Sequence, residues 1–309
     1  MSLEQTTFDP GLTQKYTGKL QRAIEKDGSF NVRKTGLGLK HFHFYQFLIN
    51  ISWPRFFLVI LSGYILVNAL FACLYLLAGI GNIHGADTST PLSEFLSTFF
   101  LSVHTFTTVG YGTIAPKDVW TNSVAALESL TGLMALAVAT GLLYGRFSRP
   151  SARMVFSDSA IIAPYRGRTS LQFRIANQRT NTLMEIEAKV LIMTVSGTGD
   201  NHRREYHVMN LERSSVYFLP LTWTVVHPID EQSPLFGKTL KDLADSQAEI
   251  LIMIKAFDDT FSQVVHSRYS YRFDEILWGA KFLPAFSVTA DGDMALALDR
   301  LSEVEKAAV

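Results

Sequence analysis

The chain has 309 residues, 48% of them hydrophobic and only 18% charged, with 28 Lys and Arg balanced by 28 Asp and Glu. This length allows two or more domains, and zero net charge argues against a nucleic-acid partner. A single cysteine, Cys73, excludes a disulfide within one chain and leaves the redox compartment open, while a polar first forty residues of mixed charge do not read as a signal peptide.

The first patterned element is short. Phe44, Phe47, Leu48 and Ile51 recur at i, i+3, i+4 and i+7, with His43, Gln46 and Asn50 on the other face. That spacing predicts an amphipathic helix lying in a membrane interface and ending at Trp53-Pro54; a buried soluble helix is the alternative. From Phe56 to Ile80 no charge appears, and Trp120 to Gly145 carries one, Glu128. Each exceeds the roughly 20 apolar residues that cross a bilayer. Arg22, Arg33, Lys34, Lys40 and Arg55 precede the first span, Arg146, Arg149 and Arg153 follow the second, and only Lys117 lies between. The positive-inside rule then puts both termini in the cytoplasm.

Between the spans, Leu92 to Phe106 follows Pro91 and is too short to cross, so it reads as a re-entrant helix. Directly after it stands Thr108-Val109-Gly110-Tyr111-Gly112, the signature of a potassium filter in which carbonyl oxygens replace the ion's water shell. Successive carbonyls can face one axis only if ordinary and positive-φ residues alternate, and Gly110 and Gly112 reach positive φ without a Cβ clash. Thr108, Val109, Gly110 and Tyr111 supply the oxygens for K+ on this reading, while the side chains of Val109 and Tyr111 pack outward. A hairpin turn is the bland alternative, but this pentapeptide arises by chance in such a chain only about once in ten thousand. Two helices enclose no path. Four copies around an axis do, so a homotetramer is expected.

After Arg153 the apolar period becomes two. Strands are expected near Arg153 to Ile162, Leu171 to Ala176, Leu183 to Val195, Leu221 to Val226, Ile250 to Phe257 and Gln263 to Phe273, which makes a β-sandwich. In the third, Met184, Ile186, Ala188, Val190 and Ile192 form a core face. Leu183, Glu185, Glu187 and Lys189 form the other, which is either plain solvent surface or the wall of a cation-concentrating vestibule. Two rival classes are weaker. A membrane-anchored enzyme has only His227, Asp230, His266 and Asp274 to draw on, without a nucleophile elbow, metal-spaced pair or phosphate loop. A tethered adhesion or sensor module leaves the filter unexplained.

Ser52-Trp53-Pro54, the filter, Arg146-Phe147-Ser148-Arg149-Pro150, the run His227 to Leu235 and Asp274-Glu275-Ile276-Leu277-Trp278-Gly279 occur in this order across about residues 40 to 286. Together they resemble the prokaryotic branch of the inward-rectifier potassium channels. The resemblance implies a tetramer with an interfacial slide helix, two transmembrane helices plus a re-entrant pore helix per subunit, and an all-β immunoglobulin-like cytoplasmic domain. The division is then 1–40 cytoplasmic segment, 41–53 slide helix, 54–146 pore domain, 147–290 β-sandwich and 291–309 tail; residues 1–30 and the helix-prone tail from Asp291 remain unassigned. A multi-pass protein of the cell (inner) membrane is implied, holding potassium ions but no organic cofactor.

The same resemblance supplies roles. In the stripe Gly132, Leu136, Thr140 and Tyr144 of the second span it makes Gly132 a hinge, Leu136 the cavity position that governs rectification and Tyr144 the bulky ring at the gate. His104 stands where many members carry a carboxylate, and the arginine that animal members pair with it falls near Ile114, so neither partner of that ion pair is present. His104 is either a proton-sensitive brace for the filter or a neutral histidine satisfied by a hydroxyl or backbone group. Glu185 matches an acidic residue of the cytoplasmic pore, whereas Lys255 and Leu136 replace the other two acidic sites, implying weak block by polyamines or magnesium. Arg146, Arg149, Arg153 and Arg179 match contacts with anionic lipid or phosphoinositide headgroups, and a basic cluster beside a membrane helix attracts such lipids.

Overall fold

The computed structural model of the chain describes residues 10–12, 15–16, 22–33, 35–36, 43–148, 153–197 and 202–307. It divides into two compact units, Thr35–Arg149 and the remainder.

In the first unit, helix α1 (Phe44–Asn50) buries only Leu48 and leaves Phe44 and Phe47 exposed, the disposition of a helix whose apolar face awaits a membrane interface. Helix α2 (Trp53–Ala78) begins with Pro54 in its first turn, where the missing N–H costs nothing. Its 26 residues run about 39 Å. Helix α3 (Pro91–Phe106) opens on Thr90, whose hydroxyl accepts the Ser93 N–H at 3.1 Å. Its 16 residues give about 24 Å, short of the ~30 Å hydrocarbon core. Helix α4 (Val119–Phe147) opens the same way, with Asp118 accepting the Thr121 N–H at 2.9 Å. Between the helices a two-residue ribbon, Ile83–His84 against Ala115–Pro116, closes the re-entrant loop. Phe71, Tyr75, Ile83, Leu101 and Val124 make the core of this unit, while Leu58, Leu61, Leu66 and Leu77 stay exposed, as lipid-facing residues should.

The second unit is a sandwich of two mostly antiparallel sheets. Its strands are β1 (Met154–Phe156), β2 (Ala160–Tyr165), β3 (Arg168–Asn177), β4 (Leu183–Ser196), β5 (His202–Val208), β6 (Ser215–Phe218), β7 (Thr222–Ile229), β8 (Glu249–Asp258), β9 (Gln263–Arg272) and β10 (Ile276–Trp278). One sheet runs β5-β4-β8-β9, with β6 also on β4 and the strand Lys15–Tyr16 on β5. The other runs β7-β3-β2-β10, with β1 on β3 and β10 parallel to β2. Ile186, Ala188, Val190 and Ile192 of β4 and Ile250, Ile252 and Ile254 of β8 meet Leu171, Phe173 and Ile175 of β3 and Val225 of β7 in one core.

Three expectations are corrected here. The first strand is two, because the Ser157 hydroxyl takes the Arg174 N–H at 3.1 Å and reaches the Ser159 carbonyl at 2.9 Å, turning the chain between β1 and β2. The face assignment of β4 fails at its start: Leu183 is 1% exposed while Met184 is only half-buried. The ladder to β8 slips between Lys255 and Phe257, and Glu185 adopts φ +51°, so a bulge reverses the alternation. The tail from Asp291 forms no α-helix among the described residues, only a three-residue 3-10 turn at Leu298–Arg300. Met294–Leu296 pairs with Phe286–Val288 and Val304–Lys306 with Ala280–Phe282, which places Phe282 and Val304 against Ile161 and Ala163. Helix propensity is a weak term that such pairing overrides.

The segment 22–33, without an expected role, is pinned to the sandwich. Arg22 makes a two-pronged pair with Glu275 at 2.8 and 3.1 Å, Lys26 reaches the same carboxylate at 2.9 Å, and Glu249 accepts the Ala23 N–H. Burial pushes the Glu275 carboxyl up, but hydrogen bonds from Arg22, the Arg272 backbone and Lys26 more than offset it and leave it below its ordinary range.

Candidate functional site

The last turn of α3 positions the segment that follows it. The Val103 carbonyl accepts the Thr107 N–H at 3.1 Å, Thr105 accepts Thr108 at 3.1 Å, and the His104 carbonyl takes both Val109 at 3.0 Å and Gly110 at 3.3 Å. From there the backbone alternates: Thr108, Gly110 and Gly112 have φ of +60°, +60° and +78°, with Val109 and Tyr111 between them outside the left-handed region. The glycines adopt it freely. Thr108 does not, since a β-branched residue at positive φ is costly by about 1–3 kcal/mol, and such strain gathers at functional sites. Sequence reasoning missed that a third member of the pentapeptide takes this conformation. Tyr111 stands edge-on to the His104 ring at 4.9 Å, so it does meet the pore helix. His104 Nδ1 is buried with no hydrogen-bond partner among the described residues, so the hydroxyl or backbone group that would satisfy it is not found.

A family model described as the inward rectifier potassium channel C-terminal domain matches residues 154–309, and one described as ion channel matches residues 59–149. The inward rectifier potassium channel Kirbac3.1 of Paramagnetospirillum magnetotacticum is 37% identical over 288 residues, which cover 92% of this chain and 95% of that protein. The G protein-activated inward rectifier potassium channel 3 of Mus musculus is 26% identical over 305 residues, 91% of this chain and 77% of its own. Among solved structures, the Spo0M sporulation control protein of Bacillus subtilis aligns over 42% of this chain and 50% of its own at a TM-score of 0.24 and 11% identity, too low for a shared fold. The chain belongs to the inward rectifier potassium channel family. It is thus a membrane protein of an ion-conducting family, not an enzyme.

In this inward rectifier, the α4 stripe divides. Leu136 and Tyr144 are 66% and 73% exposed and Thr140 is exposed with them, whereas Gly132 is buried. A Cβ on Gly132 would overlap the Phe106 carbonyl oxygen at the end of the pore helix. The glycine therefore serves a close approach of two backbones, a role that the reading as a hinge did not foresee.

The arginines also divide. Arg146 spends its guanidinium on α1: Nη1 donates to the Leu48 and Ile49 carbonyls and Nη2 to Ile51 at 2.8 Å, so the cation caps the orphan carbonyls that end this helix. It also lies 4.4 Å from the Trp53 ring and 4.6 Å from that of Phe56. Arg149 lies outside the described residues. The backbones of Arg153 and Arg179 lie near one another where β1 begins and β3 ends, since the Arg153 carbonyl accepts the N–H of Gln178, next to Arg179.

Glu185, at its bulge, lines a small cleft with Met184, Tyr217, Phe218 and Phe257. Two residues on, Glu187 is paired with Lys255 at 3.4 Å, which cancels part of the negative charge of this face. The tempting enzyme set does not converge as a whole: His227 and Asp230 line one cleft, and His266 and Asp274 are not part of its lining. His227 is bonded to the Asn210 carbonyl at 2.6 Å and to Ser233 at 2.7 Å, Asp274 to Arg272 at 3.5 Å, and His266 lies across the ladder from Lys255.

One group of polar residues escaped sequence reasoning. Asn68, Tyr75, Ser102 and Glu128, from α2, α3 and α4, are each 0% exposed and joined by hydrogen bonds. The only signal for it was a lone carboxylate inside an apolar span, which is expensive there unless partnered.

Proposed function

We propose that four copies of this chain surround one axis and conduct K+ passively, with Thr108, Val109, Gly110 and Tyr111 offering oxygens to the ion and Gly112 closing the filter. The observation that carries this is the alternation of positive φ at Thr108, Gly110 and Gly112 directly after a helix too short to span. On this reading Leu136 and Thr140 line the cavity and four Tyr144 rings close its inner mouth by size and dewetting. Both termini are cytoplasmic in the cell's inner membrane. Glu185 lines the cytoplasmic pore. With apolar Leu136 in the cavity and Glu187 paired with Lys255, few free carboxylates remain for a polyamine, and intrinsic rectification is weak.

Anionic lipid headgroups bind Arg149, Arg153 and Arg179. Arg146 acts differently, as a strut that holds the slide helix to the gating helix.

Potassium-selective flux into liposomes containing only the purified protein tests the assignment. Gly110→Ala adds a Cβ that opposes φ +60° without meeting any neighbour, so this variant should assemble and lose selectivity for potassium over sodium. Unchanged selectivity in an assembled Gly110→Ala tetramer refutes the filter assignment.

A further inference from the structure

A carboxylate buried between three membrane helices stands behind the pore segment, and nothing in the conduction scheme above uses it. Glu128 of α4 accepts the Tyr75 hydroxyl of α2 at 2.7 Å through Oε2, and its Oε1 meets the Ser102 hydroxyl of α3. Ser102 Oγ also lies 3.0 Å from Asn68 Oδ1. The Asn68 amide nitrogen is committed elsewhere, donating to the Tyr64 carbonyl at 2.7 Å.

Counting protons defines the network. Three oxygen-to-oxygen contacts need three protons, and the hydroxyls of Tyr75 and Ser102 bring two. A carboxylic proton on Glu128, donated to Ser102, completes the set and leaves Ser102 to donate to Asn68. All three contacts are then satisfied, with no charge left unpaired in the membrane.

The position of the network matters more than its composition. Helix α4 meets the pore helix at two points one turn apart on each helix, Glu128 at Ser102 and Gly132 at the Phe106 carbonyl. Between Ser102 and Phe106 lie Val103, His104 and Thr105, the carbonyls that hold the N–H groups of Thr107, Thr108, Val109 and Gly110. A shift of this turn is passed directly to the segment with alternating φ.

We propose that Glu128 is a positioning residue for permeation: through Ser102, with Tyr75 as backstop, it clamps the last turn of the pore helix and so holds the diameter of the first carbonyl rings. The proposal rests on residues 108–112 being the filter. Neither the hydrophobic contacts of this unit nor the caps of α3 explain why four polar residues are gathered in its interior.

The test is the ratio of potassium to sodium permeability, from reversal potentials of reconstituted full-length tetramers, beside their thermal midpoints. Glu128→Gln supplies an amide that accepts from Tyr75 and donates to Ser102, so it should keep the ratio within about twofold. Ser102→Ala and Glu128→Leu break the clamp and should each lower the ratio about tenfold, with the double variant no worse than either alone. If Glu128→Leu does not assemble, Ser102→Ala against Glu128→Gln decides. An unchanged ratio in Ser102→Ala, whatever its thermal midpoint, overturns the proposal, because a purely structural network would lower only the midpoint. A Glu128→Gln ratio as low as that of Glu128→Leu overturns it too, since charge and not hydrogen bonding would then be at work. Gly110→Ala is the control: unchanged selectivity there removes the filter reading and this inference together, whereas loss there with none in Ser102→Ala removes this inference alone.

Discussion

Arg146→Lys separates the strut from a headgroup ligand, because it keeps the charge that a lipid phosphate sees and removes the planar fork that three carbonyls need. The guanidinium holds the carbonyls of Leu48, Ile49 and Ile51 and stacks on Trp53 and Phe56. A lysine ammonium can retain one of these carbonyls. Losing two hydrogen bonds at ~1 kcal/mol each, with ~0.5–1 kcal/mol for the stack, weakens slide-helix docking by roughly 2.5–3 kcal/mol, on the order of a hundredfold in the docking equilibrium. Leu48 reports on docking, since it is 2% exposed against Phe56 and Leu142. In a Cys73→Ser background, the rate at which a water-soluble thiol reagent modifies Leu48→Cys should rise by up to that factor when Arg146→Lys is added. Equal rates with and without Arg146→Lys, together with an altered response to anionic lipid, would refute the strut and return Arg146 to the headgroup cluster.

Leu136→Asp would place four carboxylates in the cavity, where low-dielectric walls strengthen their pull on a multivalent cation, and outward current in inside-out patches should acquire steep, voltage-dependent spermine block. Wild-type-like block in an assembled tetramer means that the register of α4 toward the axis is wrong. The N-terminal tether predicts an acid effect. Glu275 is depressed below its ordinary value of 4.5, so its contribution to stability is complete above that value and is lost as pH falls through the lower folded one. Urea unfolding of the full-length protein between about pH 5 and 3 should show a steeper loss for wild type than for Arg22→Ala; equal slopes would mean that the Arg22 pair holds no net stability.

Much of this protein was legible without coordinates because its strongest signals are local in sequence. Apolar length marks α2 and α4, a proline and a short apolar run mark α3, and alternation marks β4 and β8. Gly110 and Gly112 announce positive φ by lacking a Cβ, and the order of motifs from Trp53 to Gly279 carries the family. Partners remote in sequence were not legible. Thr108 at φ +60° was not legible either, although the Thr105 and His104 carbonyls beside it are near in sequence, because a β-branched residue does not announce positive φ. The bulge at Glu185, which carries Leu183 into the core, arises from the ladder to β8 some seventy residues away. Strand β5 buries only Tyr206 along a charged stretch, so it had no alternation to read, and the helix-prone tail became strands because Ala280–Phe282 offered an edge. The same physics governs the candidate site. A sequence lists Asn68, Tyr75, Ser102 and Glu128 as scattered polar residues in apolar spans, and shows Arg146 only as a cation beside a membrane. Only the packed helices decide that the four meet in one dry network and that Arg146 faces the end of α1, because a buried polar group is tolerable only where its partners converge, and that convergence is a property of three dimensions.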